Sequence, residues 1–237
     1  MKTIVHRAQS RGYANHGWLE SHHSFSFAGF HDPERTHYGL LRVLNDDKVS
    51  EGRGFGTHPH ENMEIISIPL SGDLQHEDSM GTKSVIRQND VQVMSAGTGI
   101  YHSEYNKNAD QPVAFLQIWI FPKLRNITPR YDQKTYDPTL RKNKLQRIVS
   151  PIDDEMDSVK INQDAYLHRL DLDTGKNITY PVLRKGNGVY VFVLNGSATL
   201  AGEELNTRDA IAVSGALEFE ISATTDLSLL FIEIPMN

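Results

Sequence analysis

The fold is decided by the stretch Gly54-Phe55-Gly56-Thr57-His58-Pro59-His60-Glu61-Asn62-Met63-Glu64, in which two histidines are one residue apart. In an extended chain alternate side chains point to the same side, so His58 and His60 share a face, with Cα atoms about 6.6 Å apart. Pro59 restricts φ and disfavours a helix in this segment. Two imidazoles at this spacing can reach one metal ion at the usual zinc–nitrogen distance of about 2.0–2.1 Å.

A second stretch, Gly97-Thr98-Gly99-Ile100-Tyr101-His102-Ser103-Glu104-Tyr105-Asn106, repeats the arrangement with His102 and Glu104. The glycines let backbone pass close to a site without a Cβ in the way. A single His-x-His or His-x-Glu is a weak motif, because an isolated histidine is more often a surface or hydrogen-bonded residue than a ligand. Two such pairs with strand spacing, each after a glycine-rich turn, predict a site of three imidazoles and one carboxylate.

The predicted donor set restricts the choice of metal only in part. Nitrogen-rich ligation without a thiolate suits Fe(II), Mn(II), Ni(II), Co(II), Cu(II) or Zn(II), and the chain has no cysteine. Four protein ligands leave one or two positions open on a five- or six-coordinate ion, and an open position is typical of a catalytic site.

Short strand-like segments separated by turn residues make up both halves of the chain. They are predicted at residues 40–44, 64–70, 91–95, 113–121, 178–183, 189–194, 198–200, 210–213, 217–221 and 227–234. Asn45-Asp46-Asp47 has the composition of a turn, and Asn195-Gly196 is a typical hairpin dipeptide. Evenly spaced short strands predict an all-β fold of antiparallel sandwich or barrel type.

The composition changes between residues 123 and 165, where prolines interrupt the chain, charges are dense and apolar residues are sparse. We therefore predict an N-terminal metal-binding domain at residues 1–130, a connection at 131–165 and a C-terminal domain at 166–237. Short helical turns are expected within the connection, at residues 153–159.

The two halves look like loose repeats of one fold. Gly72 and Gly196 end corresponding strands, and Asp90 and Asp209 each precede a similar apolar run. A repeat of this kind predicts that the same fold is used twice in one chain.

The second half departs from the metal pattern of the first. Val182 and Arg184 stand where the two histidines would be needed, and Gly188 stands at the position of Glu64. His168 is the only histidine in that half, so packing or a surface position is its expected role. We predict a C-terminal domain without metal ligands.

The overall composition narrows the classes of partner. A length of 237 residues allows two domains of ordinary size, and the formal net charge of −6 disfavours nonspecific binding to nucleic acid or to an anionic membrane. The N-terminal residues have no apolar run of signal-peptide length, and no window reaches the roughly 18–20 apolar residues of a membrane helix. We expect a soluble cytoplasmic protein that binds neither nucleic acid directly nor membranes.

The site motifs resemble those of the cupin superfamily, in His58-Pro59-His60, Glu64, Gly72, Gly97-x-Gly99 and His102-x-x-x-Asn106. The run from residue 55 to residue 106 is similar to the pirin family, and especially to the short bacterial pirin-like quercetinases. The resemblance covers most of residues 1–135 and continues more faintly beyond them. It implies a bicupin, in which one chain forms two antiparallel β-sandwich domains of the jelly-roll type.

The resemblance also implies a ligand set and an activity. Pirins bind one metal ion, typically iron, in the N-terminal barrel, and the matching residues here are His58, His60, His102 and Glu104. The implied activity is that of a quercetin 2,3-dioxygenase, with dioxygen and a small aromatic, flavonol-like substrate. Either Glu104 or Glu64 would accept the hydroxyl proton. Glu64 is a candidate because it shares the parity of His60 and is therefore expected to face inward.

Two other functions stay open. Some pirins act as metal-dependent partners of transcription factors or metabolic enzymes without catalysis, so the alternative is a non-catalytic regulatory protein with a protein partner. A metal-dependent isomerase or small-molecule binder is a third interpretation, since cupin folds host many chemistries.

His22 and His23 lie in an aromatic stretch, residues 18–30, with two interpretations. The stretch could form a pocket wall near the metal, or a strand packed on the second barrel. Aromatic residues in strands are usually part of a core, which favours the second interpretation.

Overall fold

The computed structural model describes all 237 residues, and the fold is almost entirely β. The only helices are two short 3-10 turns, Ala8–Ser10 and Pro138–Arg141, and no helix is long and apolar enough to cross a membrane. In chain order the strands are β1 (Lys2–His6), β2 (Gly12–Asn15), β3 (Leu19–His23), β4 (Leu41–Val49), β5 (Gly54–His60), β6 (Glu64–Ser71), β7 (Leu74–Asp78), β8 (Lys83–Ile86), β9 (Asp90–Ser95), β10 (Ile100–Asn106), β11 (Val113–Ile120), β12 (Arg130–Thr135), β13 (Gln146–Pro151), β14 (Val159–Ile161), β15 (Tyr166–Leu172), β16 (Asn177–Pro181), β17 (Asn187–Asn195), β18 (Ala198–Leu200), β19 (Glu203–Leu205), β20 (Ala210–Ser214), β21 (Glu218–Ala223) and β22 (Leu227–Pro235).

The strands form two sandwiches, each made of a large seven-stranded sheet and a small four-stranded sheet. In the first barrel the large sheet has the order β12-β9-β6-β11-β4-β3-β2, and the small sheet has the order β5-β10-β7-β8. In the second barrel the orders are β1-β20-β17-β22-β15-β13-β14 and β16-β21-β18-β19. Among these strands only β13 and β14 pair in parallel. The predicted all-β fold of two antiparallel sandwiches is confirmed.

The strand orders of the two barrels correspond position by position, as the loose repeat in the sequence predicted. Gly72 and Gly196 both have positive φ, at 72° and 89°, a conformation that glycine adopts without a steric penalty. Asp90 and Asp209 each accept a hydrogen bond from the backbone N–H three residues earlier, at 2.8 and 3.0 Å. The repeat therefore extends to the side chains that fix the turns.

The boundaries between the barrels differ from the predicted ones. β1 pairs with β20 in the second barrel, and β12 pairs with β9 in the first. β13 and β14 belong to the second barrel, so the segment at 131–165 contributes strands to both barrels, and no helix forms at 153–159. β1, β12 and β14 are edge strands, where charges are tolerated and few apolar residues are needed. The polar sequence of β12 therefore has a weak strand signal.

The segment Asn45-Asp46-Asp47 lies inside β4, so the prediction of a turn there is wrong. Neighbouring residues of β4 point to opposite faces and meet different partners. Asp46 forms an ion pair with Arg11 at 3.2 Å, and Asp47 accepts a hydrogen bond from Ser21 on the other face. These tertiary partners outweigh the local preference of the three polar residues for a turn.

The largest apolar core lies between the two large sheets and joins the barrels. It includes Ile66 and Ile118 from the first barrel and Tyr190 and Ile232 from the second, all fully buried. Full burial of one such isoleucine contributes about 1.5–3 kcal/mol. Along each strand the residues of this core alternate with residues that face the interior of their own barrel.

Candidate metal centre

β5 and β10 are neighbours in the small sheet of the first barrel, and their register brings the predicted histidines together. His58 lies directly opposite His102. The ring centroids are 4.9 Å apart for His58 and His60, 4.4 Å for His58 and His102, and 5.0 Å for His60 and His102. One nitrogen of each ring lies within 4.8 Å of the others, so the three rings can share one ion.

The three imidazoles are held in a form that can bind a metal. A carbonyl oxygen can only accept, so Nδ1 of His58 donates to the backbone oxygen of Gly56 at 2.7 Å, and Nε2 is the nitrogen of this ring that is available to an ion. Burial, together with neighbouring histidines, lowers the pKa of His60 to about 4 and that of His102 to about 3. Both rings are therefore neutral at pH 7, which is the protonation state of a metal ligand.

Several ring nitrogens of this centre have no hydrogen-bond partner in the protein. They are Nε2 of His60 and both ring nitrogens of His102, a residue that is only 2% exposed. Buried polar groups are normally paired. Convergent neutral imidazoles with unpaired nitrogens fit a divalent cation.

Glu104 follows on β10, beyond a shift in register after His102. Its buried carboxylate accepts hydrogen bonds from Oγ of Ser67 at 2.9 Å and from Nε2 of Gln117 at 2.7 Å. Glu104 forms a second compact group of candidate ligands with His102 and His76 and is not part of the group of three histidines. That Glu104 binds the same ion as His58, His60 and His102 stays a prediction.

His76 is a histidine of this centre that the sequence analysis missed. It lies on β7 with its ring centroid 5.3 Å from that of His102, and its Nε2 is 3.0 Å from a carboxylate oxygen of Asp78. The other ring nitrogen, Nδ1, has no partner. His76 and Asp78 alternate along a strand in the same way as the first histidine pair, and this parity was the available signal.

Glu64 does not face the histidines, so the predicted inward orientation is wrong. It is three residues before Ser67 on β6, and residues at that separation point to opposite faces of a sheet. Its Oε2 accepts hydrogen bonds from Oγ of Ser95 at 2.8 Å and from the backbone N–H of Asn162 at 3.0 Å. Asn62, with φ of 49°, interrupts the extended chain before Glu64, and the alternation is not continuous across it.

A cavity of about 470 Å³ adjoins the centre, and His58 and His60 form part of its wall. Its volume is in the range that holds a small aromatic molecule. Trp119 packs edge-on against His60, with ring centroids 5.0 Å apart. The large aromatic side chains of the lining are Trp18, Phe27, Phe55 and Trp119.

His23 and Phe27 line this cavity, so the pocket-wall interpretation is correct for them and the favoured packing on the second barrel is wrong. β3 pairs with β4 in the first barrel, which turns His23 inward and His22 to the opposite face. Phe25 does pack in the core between the barrels, with its ring 5.3 Å from that of Tyr190.

Asp47 is a buried carboxyl group in the same cavity that the sequence analysis did not identify. It is 4% exposed and accepts a hydrogen bond from Ser21. Burial raises the pKa of Asp47 to about 7, and the hydrogen bond from Ser21 offsets only part of this effect. Both protonation states of this carboxyl are therefore populated near neutral pH.

The interior of the second barrel holds apolar side chains and one buried polar group, in which the Glu233 carboxylate accepts hydrogen bonds from Tyr180 and Asn187. A cluster of 17 buried residues, among them Ile221, Leu229 and Phe231, occupies it. His168 is buried, and its Nδ1 lies 3.1 Å from the hydroxyl of Tyr180. Both groups of potential metal ligands lie in the first barrel.

Two β-sandwiches with the same strand order, one of them with converging histidines, define a bicupin protein. A family model described as Pirin matches residues 5–120, and a model described as Quercetinase C-terminal cupin domain matches residues 147–234. The quercetin 2,3-dioxygenase of Escherichia coli (strain K12) is 40% identical over 231 residues, which is 98% of each chain. The chain belongs to the pirin family.

Two further comparisons agree with this assignment. A pirin-like protein of Caulobacter vibrioides is 37% identical over 222 residues, which is 94% of this chain and 95% of that protein. The crystal structure of the bacterial pirin YhhW from Escherichia coli in complex with nickel(II) covers 99% of both chains, with a TM-score of 0.93 and 38% sequence identity.

Proposed function

We propose that this protein is a metal-dependent dioxygenase of the quercetin 2,3-dioxygenase type that acts on flavonol-like substrates. One observation carries the proposal: His58 and His60 belong to the histidine cluster and also line the cavity of about 470 Å³. A small molecule in the cavity would therefore lie next to an ion held by the cluster. The name of the Escherichia coli relative, quercetin 2,3-dioxygenase, supports the proposed reaction.

The proposed ligands are His58, His60, His102 and Glu104, and the proposed ion is Fe(II). Three neutral imidazoles with one carboxylate suit Fe(II), and they also suit Mn, Ni, Co, Cu and Zn. The nickel(II) complex of a related pirin supports a divalent ion of this kind. When bound, such an ion supplies Lewis-acid stabilisation of a deprotonated hydroxyl group.

Glu104 is the proposed proton acceptor. Ser67 and Gln117 each donate a hydrogen bond to one of its carboxylate oxygens, at 2.9 and 2.7 Å, and so fix the orientation of the group. If Glu104 binds the same ion as the histidines, its carboxylate would lie beside a hydroxyl group bound to that ion and would be suited to take the proton. Glu64, which faces the second half of the chain through Asn162, has no proposed part in this step.

The aromatic lining is proposed to orient a flat substrate. The rings of Phe27 and Trp119 meet edge to face with their centroids 5.5 Å apart. Those of Trp18 and Phe55 do the same at 5.4 Å. Such side chains bind planar rings and exclude water from them. In the overall reaction both atoms of dioxygen enter the ring-opened ester and one substrate carbon leaves as carbon monoxide. No external reductant is needed.

Oxygen uptake tests the proposal. Protein loaded with Fe(II), or with each of the other ions in parallel, is expected to consume dioxygen and to release carbon monoxide when a flavonol is added. His58→Ala should lower the rate by a factor on the order of 100, because a ligand and part of the cavity wall are lost. His31→Ala, at an exposed histidine, is the matched control and should keep the rate. Absence of turnover with every ion would favour the regulatory alternative, a metal-binding protein with a protein partner.

A further inference from the structure

We propose that one wall of the cavity recognises hydroxyl groups of an aromatic substrate other than the one bound at the metal. This polar wall consists of Ser21, His23, Asn45 and Asp47, which all line the cavity. The inference rests on the proposed function, because it assigns the substrate class of the same cavity.

Strand pairing places the polar wall on the large sheet, beside residues that contact the proposed ligand Glu104: Asn45 lies directly opposite Gln117, which donates to that carboxylate. Ser21 and His23 on β3 lie directly opposite Asp47 and Asn45 on β4, so the four side chains share the interior face of the large sheet. The histidine cluster lies on the small sheet of the same barrel. His58 and His60 line the same cavity as the polar wall, so one molecule in the cavity can contact both.

The polar wall has more hydrogen-bonding capacity than the protein itself satisfies. Oδ1 of Asn45 and Nδ1 of His23 have no partner, and Asp47 accepts a single hydrogen bond, from Ser21 to Oδ1. His23 is 3% exposed, and Asn45 and Asp47 are 4% exposed. Buried polar groups are normally paired. Unpaired polar groups grouped in a cavity wall are typical of a ligand site.

The chemistry of the polar wall selects hydroxyl-bearing rings. Oδ1 of Asn45 is an acceptor, and the Asp47 carboxyl is an acceptor when ionised and also a donor when protonated. A hydroxyl group can both donate and accept, so it complements the polar wall in either state. A phenolic hydroxyl donates without bringing a charge that must lose its hydration, whereas a carboxylate would face another buried acid. Phe27 and Trp119 line the same cavity and suit the ring that carries the hydroxyls. The polar wall is therefore expected to favour, among aromatic substrates, those that carry hydroxyl groups in addition to the one bound at the metal.

Binding of two flavonols distinguishes recognition by the polar wall from binding at the metal site. Quercetin and 3-hydroxyflavone share the 3-hydroxyl and the neighbouring carbonyl oxygen, but only quercetin carries further hydroxyl groups. The Kd of each is measured by titration calorimetry with metal-loaded protein in the absence of dioxygen. Quercetin is expected to bind on the order of 10-fold more tightly, because two or more buried hydrogen bonds are gained.

Substitutions in the polar wall should remove this preference. In Asn45→Leu and Asp47→Leu the affinity for quercetin should fall on the order of 10-fold, while that for 3-hydroxyflavone stays within about twofold. Lys48→Leu, at an exposed position of the same strand, is the matched control and should keep the preference. Binding of 3-hydroxyflavone shows that a variant is folded and retains its metal site.

The outcomes distinguish this inference from the function on which it rests. Equal affinity of the unsubstituted protein for the two flavonols would contradict hydroxyl recognition by the polar wall. The proposed dioxygenase function would not be affected. Loss of both ligands in folded variants would also contradict hydroxyl recognition, because the wall would then only support the structure. If the leucine variants do not fold, Asp47→Asn is used, and an unchanged preference counts against the wall. If neither flavonol binds the metal-loaded protein, the proposed function itself fails.

Discussion

The two barrels share one strand order, but only the interior of the first has a cavity beside converging histidines. In the first barrel a cavity of about 470 Å³ lies next to a cluster of histidines and a buried aspartate. In the second barrel 17 buried apolar residues lie in the interior. The difference shows that the sandwich supplies only an enclosure, and that a few side chains decide whether it holds a ligand.

The first barrel has less apolar packing in its own interior. Its two interior clusters contain six and four buried apolar residues, compared with 17 in the second barrel. Burial of apolar area is the main favourable term in folding. We therefore expect the second barrel and the core between the large sheets to supply most of the stability, and the first barrel to supply the chemistry.

The largest difference between the barrels is expected in metal binding, when one histidine of each is replaced. His102→Ala removes a predicted ligand and should lower metal affinity on the order of 1000-fold, a change of about 4 kcal/mol. His168→Ala removes a buried histidine of the second half and should leave one ion bound per chain. Elemental analysis after dialysis gives the metal content. Equal metal content in the two variants would contradict the proposed division of roles.

Removal of a phenyl ring should cost more stability in the second barrel than in the first. Phe231 is fully buried in the second barrel, so Phe231→Ala should lower the free energy of unfolding by about 3–4 kcal/mol. Phe27 lines the cavity and is only partly buried, so Phe27→Ala should cost about 1 kcal/mol. Urea unfolding of the metal-free proteins measures both changes. Similar losses would show that the first barrel is packed as tightly as the second.

The buried carboxyl group of Asp47 should make the folded protein less stable as the pH rises. Burial raises the pKa of Asp47 from 3.8 to about 7, so in that range the folded protein keeps a proton that the unfolded chain releases. The free energy of unfolding therefore falls across this window. Asp47→Asn removes the effect and should stabilise the metal-free protein on the order of 2 kcal/mol at pH 8, and less at pH 5. Thermal unfolding at the two pH values measures this, and a gain that does not depend on pH would rule out the proposed cause.

The smallest change in turnover is expected from substitution of Glu64, which faces away from the cavity. Glu64→Gln should change turnover by no more than about twofold, because its carboxylate contacts Ser95 and Asn162 and not the histidine cluster. Glu104→Gln should lower turnover on the order of 100-fold in the same oxygen-uptake assay. Loss of turnover in Glu64→Gln, with the metal retained, would support Glu64 as the proton acceptor.

Strand periodicity predicted the parts of the site that depend on local geometry. His58 and His60 needed only an extended chain to share a face, and the register of β5 and β10 then placed His102 opposite His58. Evenly spaced apolar runs likewise predicted the sandwich architecture, since alternation along a strand is a local property. The register between strands followed from the fold and could not be read from either segment alone.

The residues that sequence reasoning missed depend on partners far away in the chain. Asp47 is in a polar run that is typical of a turn, and only pairing with Ser21 makes it part of a buried wall. Glu64 was placed by extending the parity of His60 across Asn62, where the backbone has positive φ. Alternation holds within one unbroken strand and fails where the chain turns.

The pairing of β1 with β20 has a consequence for the order in which the molecule is assembled. Residues 2–6 are synthesised about 200 residues before residues 210–214, with which they pair. Domains generally fold as units during synthesis. The strands of the first barrel can therefore associate while the N-terminal strand still has no neighbour. The last barrel to be synthesised closes around the first residues of the chain, so a cut between the barrels would leave this strand on the wrong fragment.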